Sequence, residues 1–519
     1  MIKISRGVAV AAMTSLALTA LVACTPSREP EPRPNIIYIL ADDLGYGELG
    51  VYGQKLIETP NIDDLARDGM LFTQHYSGSP VCAPSRGVIM TGLHTGHAYI
   101  RGNDEMGDRG DVWDFAKMAE DPNLEGQRPL PAGTRTLGRV LQEAGYETGF
   151  VGKWGLGAPL TEGIPNEQGF DFFFGYNCQR QAHTYYPVHL WRNRERVPLG
   201  NEMVAPHTSL EEGADPNDPA SYARFRLKEY APDLLLEEAL QFIERNREQP
   251  FFLEFASPIP HLPLQAPEKW VEHYQEKLGP EEPFTGERYF PNRTPRATYA
   301  AMISTLDEQV GLVLAKLDEL GIRENTLVLF SSDNGPAWVD LAWGGADTTF
   351  FDSARPFRSD QGRGKGSVYE GGIRVPMIAA WPGHIPSGST TDHVSAFWDL
   401  LPTLAEIAGA PPPENVDGIS FAPLLRGRDE AQAQHEFLYW EFPSYGGQQA
   451  VRLGKWKGIR GNMFDGNMDI QLFDLESDLE ENDVSTKHPE IVAEIEAIME
   501  REHTPSEIER FRFEVLGEK

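Results

Sequence analysis

The chain has 519 residues, 40% of them hydrophobic, enough for a large core and for roughly two to four domains or one large domain with an appendage. Lysine and arginine number 46 against 78 aspartates and glutamates, giving a net charge of −32 that argues against nucleic-acid binding through bulk charge. An anionic ligand therefore needs a local positive pocket.

The chain opens with Lys3 and Arg6, an apolar run from Val8 to Val22, and a small-residue cleavage site at Leu21-Val22-Ala23-Cys24. The run is short for a transmembrane anchor. Leu-Val-Ala-Cys resembles a bacterial lipobox, which implies a signal peptide over 1–23 and a lipid anchor on Cys24. Residues 24–34, with four prolines, form a tether. The expected location is the periplasm or cell surface, and Thr25 after Cys24 resembles outer-membrane sorting in a Gram-negative cell. Cys82 and Cys178 are the only other cysteines, so no disulfide is expected.

Asn35–Leu40 is a continuous apolar run that predicts a strand buried on both faces, ending in Asp42 and Asp43. Pro60–Asp68 reads as a short helix. Pro84 sits where another helix would begin, with Gly92 as its stop, so Cys82 lies at a helix N-terminus. Taken alone, that position suits a reactive thiol and a buried small hydrophobe equally well. Thr136–Ala144 predicts a helix and Thr148–Val151 a strand that leads to Lys153.

Pro250–Phe255 predicts a strand leading to His261, Arg296–Leu320 a long amphipathic helix, and Thr326–Phe330 a strand ending in Asp333-Asn334. Four apolar strands thus deliver polar groups just beyond their C-terminal ends, the edge where open α/β sheets bind ligands. A Gly-rich loop follows, with Lys365 in Gly364-Lys365-Gly366, but without the spacing of a nucleotide-binding P-loop. Val394–Ala408 predicts a further helix. From about His435 short strands appear, including Phe437–Phe442 and Gln449–Arg460, before a final helix from Pro489 to Glu500.

Cys82-Ala83-Pro84-Ser85-Arg86 followed by Thr91-Gly92 resembles the signature of type I sulfatases, and Gly145-Tyr146-Glu147-Thr148 through Gly152-Lys153 resembles their second signature. The resemblance implies an alkaline-phosphatase-like α/β fold: a large mixed or parallel sheet flanked by helices over 35–430, with a smaller C-terminal α+β subdomain over 431–519. It implies a sulfuric ester hydrolase in which Cys82 is oxidised to formylglycine by a maturation enzyme, with the hydrated aldehyde as nucleophile. Asp42, Asp43, Asp333 and Asn334 are hard oxygen donors that suit Ca²⁺ or Mg²⁺. The family implies Ca²⁺, with modified Cys82 as a further ligand. By the same resemblance Arg86 stabilises the formylglycine oxygen, Lys153 and Lys365 hold the sulfate, and His261 is the general acid.

One position departs from the pattern. Many sulfatases carry Lys-Trp-His in the second signature, and here Gly155 stands in place of the histidine. His183 is the candidate to fill the vacancy. Gln179, Arg180, Trp191 and Arg358 are candidate substrate contacts, and they favour a sulfated oligosaccharide or polysaccharide over a purely aromatic sulfate; a galactose or N-acetylgalactosamine type is what the resemblance to polysaccharide-degrading sulfatases implies. Two other readings remain: a formylglycine-dependent phosphonate or phosphate ester hydrolase, and an inactive surface glycan-binding protein.

Overall fold

A computed structural model describes residues 1–2, 33–337, 344–360, 362–480 and 482–519. The expected signal peptide, Cys24 and most of the tether lie outside the described residues. Residues 33–519 form one compact unit. Among the described residues no helix is long and apolar enough to cross a membrane.

A ten-stranded sheet runs through the unit. From one edge its strands are Ser389–Thr391, Met70–Phe72, Met377–Ala380, Thr326–Ser332, Asn35–Ala41, Phe251–Ala256, Glu147–Lys153, Phe172–Tyr176, His189–Arg192 and Glu195–Pro198. The five from Thr326–Ser332 to Phe172–Tyr176 are parallel to one another. Asn35–Ala41 sits among them, and its uninterrupted apolar sequence reflects burial on both faces. Ile36, Tyr38 and Leu40 point into one core, with Val88 and Leu401. Ile37, Ile39 and Ala41 point into the other, against Leu306 and Val310 of the long helix Pro295–Glu319.

Register aligns the strand ends. Leu40 pairs with Ala256, Ala256 with Gly152, and Ala41 with Ser332. Asp42-Asp43, the segment after Ala256, Lys153 and Asp333-Asn334 therefore leave the sheet at one edge. Gly152 is required by this close approach, because its φ is +129° and a Cβ there would lie 1.9 Å from the carbonyl oxygen of Ala256.

A separate antiparallel sheet of Leu438–Phe442, Gln448–Leu453, Trp456–Arg460 and Gln471–Asp474 carries the C-terminal helix Pro489–Glu502. The stretch Gln449–Arg460 is thus two strands around a turn. The helix expected over Val394–Ala408 starts only at Leu400. Ser395 and Ala396 instead pair with His75 and Tyr76 as short strands, a tertiary pairing that outweighs local apolar pattern.

Candidate active site

Cys82 begins a ten-residue helix, Cys82–Thr91, which Gly92 ends in the left-handed conformation with its N–H on the Val88 carbonyl. The helix starts two residues before Pro84, which occupies its third position. Asn103 Oδ1 accepts the Ala83 N–H at 3.2 Å, satisfying one of the free amides of the first turn. Cys82 is buried, and its Sγ lies 3.3 Å from Asp42 Oδ1 and 3.9 Å from Asp43 Oδ1.

Two ammonium groups converge on the same sulfur. Lys153 Nζ and Lys365 Nζ each stand 3.5 Å from it. Lys153 also contacts Asp42 Oδ2 at 2.5 Å, and Lys365 contacts Asp43 Oδ2 at 2.7 Å. The Lys365 loop is clasped by its backbone, Lys365 N donating to Pro336 O and Gly366 N to Pro80 O. Arg86 reaches across with Nε and Nη2 on Asp333 Oδ2 at 3.0 and 2.9 Å, and lies 3.6 Å from Asp42. Burial pushes the Cys82 thiol up and Asp42 adds to it, which the two lysines only partly offset.

Carboxylates in this cluster separate in proton affinity. Burial raises Asp42, but Lys153, His261, Arg86 and Lys365 overcome it and hold this carboxyl far below the usual range. Burial and the neighbouring Asp42 push Asp333 up to about 7, against the pull of Arg86. Asp43 adopts φ +67°, a strained conformation for an aspartate, and its N–H donates to Asp333 Oδ1 at 3.1 Å.

The donor set fits a hard divalent cation. Ligand atoms of Asp42, Asp43, Cys82 and His261 lie within 4.8 Å of one another. Asn334 donates to Asp43 Oδ1 at 2.7 Å through Nδ2, leaving its Oδ1 buried without a hydrogen-bond partner. An unpaired buried oxygen on a side chain that is itself bonded to Asp43 is a group that a cation would satisfy.

His261 completes the cluster. Its Nδ1 donates to Leu262 O at 2.6 Å, which leaves Nε2 facing Asp43 Oδ2 at 3.7 Å. Tyr185 fixes the turn by donating its hydroxyl to the carbonyls of Pro258 and His261. Burial, Lys365 and Lys153 hold His261 well below the ordinary imidazole range, against the pull of Asp42. His183 stacks on His261 with ring centroids 5.3 Å apart and planes at 19°, and burial and His261 lower it likewise.

The side chain that faces Gly155 is that of Gln179, not His183. A Cβ on Gly155 would come 3.1 Å from Gln179 Oε1. Gln179 is buried, and its Nε2 donates to Glu105 Oε1 at 3.2 Å. Arg180 is also buried, its Nη1 on Glu105 Oε2 at 2.5 Å and its Nη2 on Leu124 O at 2.8 Å. Trp191 packs inside the protein at 5% exposure, donating Nε1 to Glu125 Oε1 at 2.6 Å. Arg358 forms a two-point pair with Asp360 at 2.8 Å. Internal partners thus engage all four candidate substrate contacts.

Sequence reading missed Glu105, Tyr289 and Trp113. Glu105 binds both Gln179 and Arg180, while Tyr289 and Trp113 lie 5.3 and 6.1 Å from His183 between ring centroids. None sits on an element with a readable period, so no pattern signal marks them.

Comparison with known proteins agrees with this architecture. Residues 34–410 match the Sulfatase family, and residues 364–505 match the C-terminal family of N-sulphoglucosamine sulphohydrolase. Human arylsulfatase A is 34% identical over 439 residues, covering 82% of this chain and 74% of that protein. N-acetylgalactosamine-6-sulfatase of Canis lupus familiaris is 34% identical over 410 residues, covering 77% and 67%. The crystal structure of Ps i-CgsB superposes with a TM-score of 0.70 at 29% identity over 90% of this chain and 92% of that one. The match to the Sulfatase family spans the Cys82 helix, both lysines and the four strand ends, and the chain belongs to the sulfatase family of sulfuric ester hydrolases.

Proposed function

We propose that the protein removes sulfate from a sulfated carbohydrate, using formylglycine at position 82 and a bound Ca²⁺ or Mg²⁺ ion. The observation that carries this reading is the convergence of Lys153 and Lys365 at 3.5 Å from Cys82 Sγ, where a tetrahedral anion has two positive partners. A carbohydrate substrate is supported by the relatives' names: an N-acetylgalactosamine-6-sulfatase, and Ps i-CgsB in complex with k-i-k-neocarrahexaose, at 28% identity and a TM-score of 0.69.

Asp42, Asp43, Asp333 and Asn334 would hold the cation, which when bound supplies a Lewis acid for a sulfate oxygen. Formylglycine, once hydrated, would supply the hydroxyl that attacks sulfur, and loss of sulfate by C–O cleavage would then restore the aldehyde. Lys153 and Lys365 neutralise the sulfate oxygens, and Arg86 keeps Asp333 and Asp42 in place. As the S–O bond to the sugar breaks, His261 donates the Nε2 proton to the departing alkoxide. The negative charge of a bound ester beside the imidazole favours the protonated form that this step needs.

For location, we infer that the chain is exported and anchored through lipid on Cys24. The support is the sequence from Lys3 to Cys24 alone.

Mass spectrometry of the peptide containing residue 82, after expression with a formylglycine-generating enzyme, tests the nucleophile. The expected result is a loss of about 18 Da relative to cysteine, with turnover that a Cys82→Ser variant lacks. Active protein with unmodified cysteine would overturn the mechanism. Faster turnover of phosphate or phosphonate esters than of sulfate esters would overturn the reaction class.

A further inference from the structure

Trp113 is an exposed aromatic ring near the candidate active site. It is 49% exposed, whereas Trp191 is almost wholly covered. Its ring centroid lies 6.1 Å from that of His183, which stacks in turn on His261. His261 Nε2 stands 3.7 Å from Asp43. A short aromatic path therefore runs outward from the proton donor to an open indole.

The indole is backed by a fixed cation. The Arg180 guanidinium lies 5.6 Å from the ring centroid, and Glu105 and the carbonyls of Leu124 and Gly126 hold it in place. Asp114, the next residue, caps the helix Phe115–Glu120 by accepting the N–H groups of Ala116 and Lys117, which fixes the backbone on that side. An aromatic ring held this way loses little conformational freedom when it stacks on a ligand.

We propose that Trp113 is a stacking platform for the sugar next to the one that carries the scissile sulfate, so that the enzyme prefers an oligosaccharide to an isolated sulfate ester. The occupant is the apolar C–H face of a pyranose ring. The leaving oxygen that His261 serves belongs to the sulfated sugar, and Trp113 lies farther out along the same path. This inference rests on the carbohydrate sulfatase reading above, whose failure is separable from its own.

The test compares kcat/KM of the formylglycine-bearing enzyme on 4-nitrophenyl sulfate and on carrageenan, chondroitin sulfate and heparin oligosaccharides. For the oligosaccharide turned over fastest, Trp113→Ala is expected to lower the ratio of oligosaccharide to aryl kcat/KM by about tenfold, mainly through KM. Trp113→Phe should restore most of it. An unaltered ratio, or a loss confined to kcat, overturns the platform. Turnover of the aryl ester with none of the oligosaccharides also overturns it while leaving sulfatase chemistry intact. No turnover of any sulfate ester removes the carbohydrate sulfatase reading and the platform with it.

Discussion

Gln179 occupies the space that a side chain at Gly155 would enter, its Oε1 3.1 Å from the position of the missing Cβ. Gly155 also adopts φ +84°, so two costs oppose any larger residue there. Gly155→His is expected to lower stability by about 1–2 kcal/mol, read from the urea midpoint. Adding Gln179→Ala should recover the steric part and leave the backbone part. Full recovery would mean that backbone strain contributes nothing.

Lys365 makes one of the two contacts between an ammonium group and the sulfur of Cys82, and it is less buried than Lys153. Lys365→Ala should reduce kcat/KM for a sulfate ester by about 10²–10³, the scale for loss of one donor to developing charge. Thermal melting of the same variant checks that the loss is not unfolding. A change below fivefold with the fold intact would remove Lys365 from sulfate binding.

His261 should matter most when the leaving oxygen is a poor leaving group. His261→Gln is expected to slow a sugar sulfate by about 10²–10⁴ and 4-nitrophenyl sulfate far less, because nitrophenolate departs without a proton. Equal losses on both substrates would assign His261 to another role.

A cation that binds the folded state alone raises its stability by mass action. Tm should climb with added Ca²⁺ and fall with chelator, by about 2–4 °C per kcal/mol of linkage in a chain of this size or somewhat less. Asn334→Ala should flatten the Tm dependence on Ca²⁺, since the unpaired Oδ1 is the group proposed to gain a partner. A Tm indifferent to Ca²⁺ and Mg²⁺ would exclude a structural cation.

His75 gives a pH dependence far from this chemistry. It is fully buried, its Nδ1 2.8 Å from Ser395 Oγ, and burial pushes it down to about 3. The unfolded chain binds this proton near pH 6.5 and the folded one does not, so His75 costs stability progressively as pH falls from 6.5 toward 3. At pH 5 the loss is about 2 kcal/mol. Guanidinium unfolding at pH 7 and pH 5 should show a smaller difference for His75→Asn than for wild type.

How much of this was readable from sequence follows from where each residue sits. Asn35–Ala41 and Thr326–Ser332 are buried on both faces, so unbroken apolar runs announced them and the acids that follow. The Cys82 segment is a contiguous motif. Gln179, Glu105, Trp113 and Tyr289 lie on short 3-10 turns or loops, where a side chain's direction depends on distant partners. Trp191 misled because aromatics lying beside Arg and Gln in one segment are a composition that does not say which rings are covered, and Glu125 accepts its indole N–H.

The common register of Ala41, Gly152, Ala256 and Ser332 has an evolutionary consequence. Bond-breaking groups hang from the rigid rim of one sheet, whereas Trp113, Tyr289 and Gln179 come from segments whose length and sequence can vary without moving that rim. A lineage could therefore exchange one sulfate ester for another by rewriting those segments, keeping its reaction.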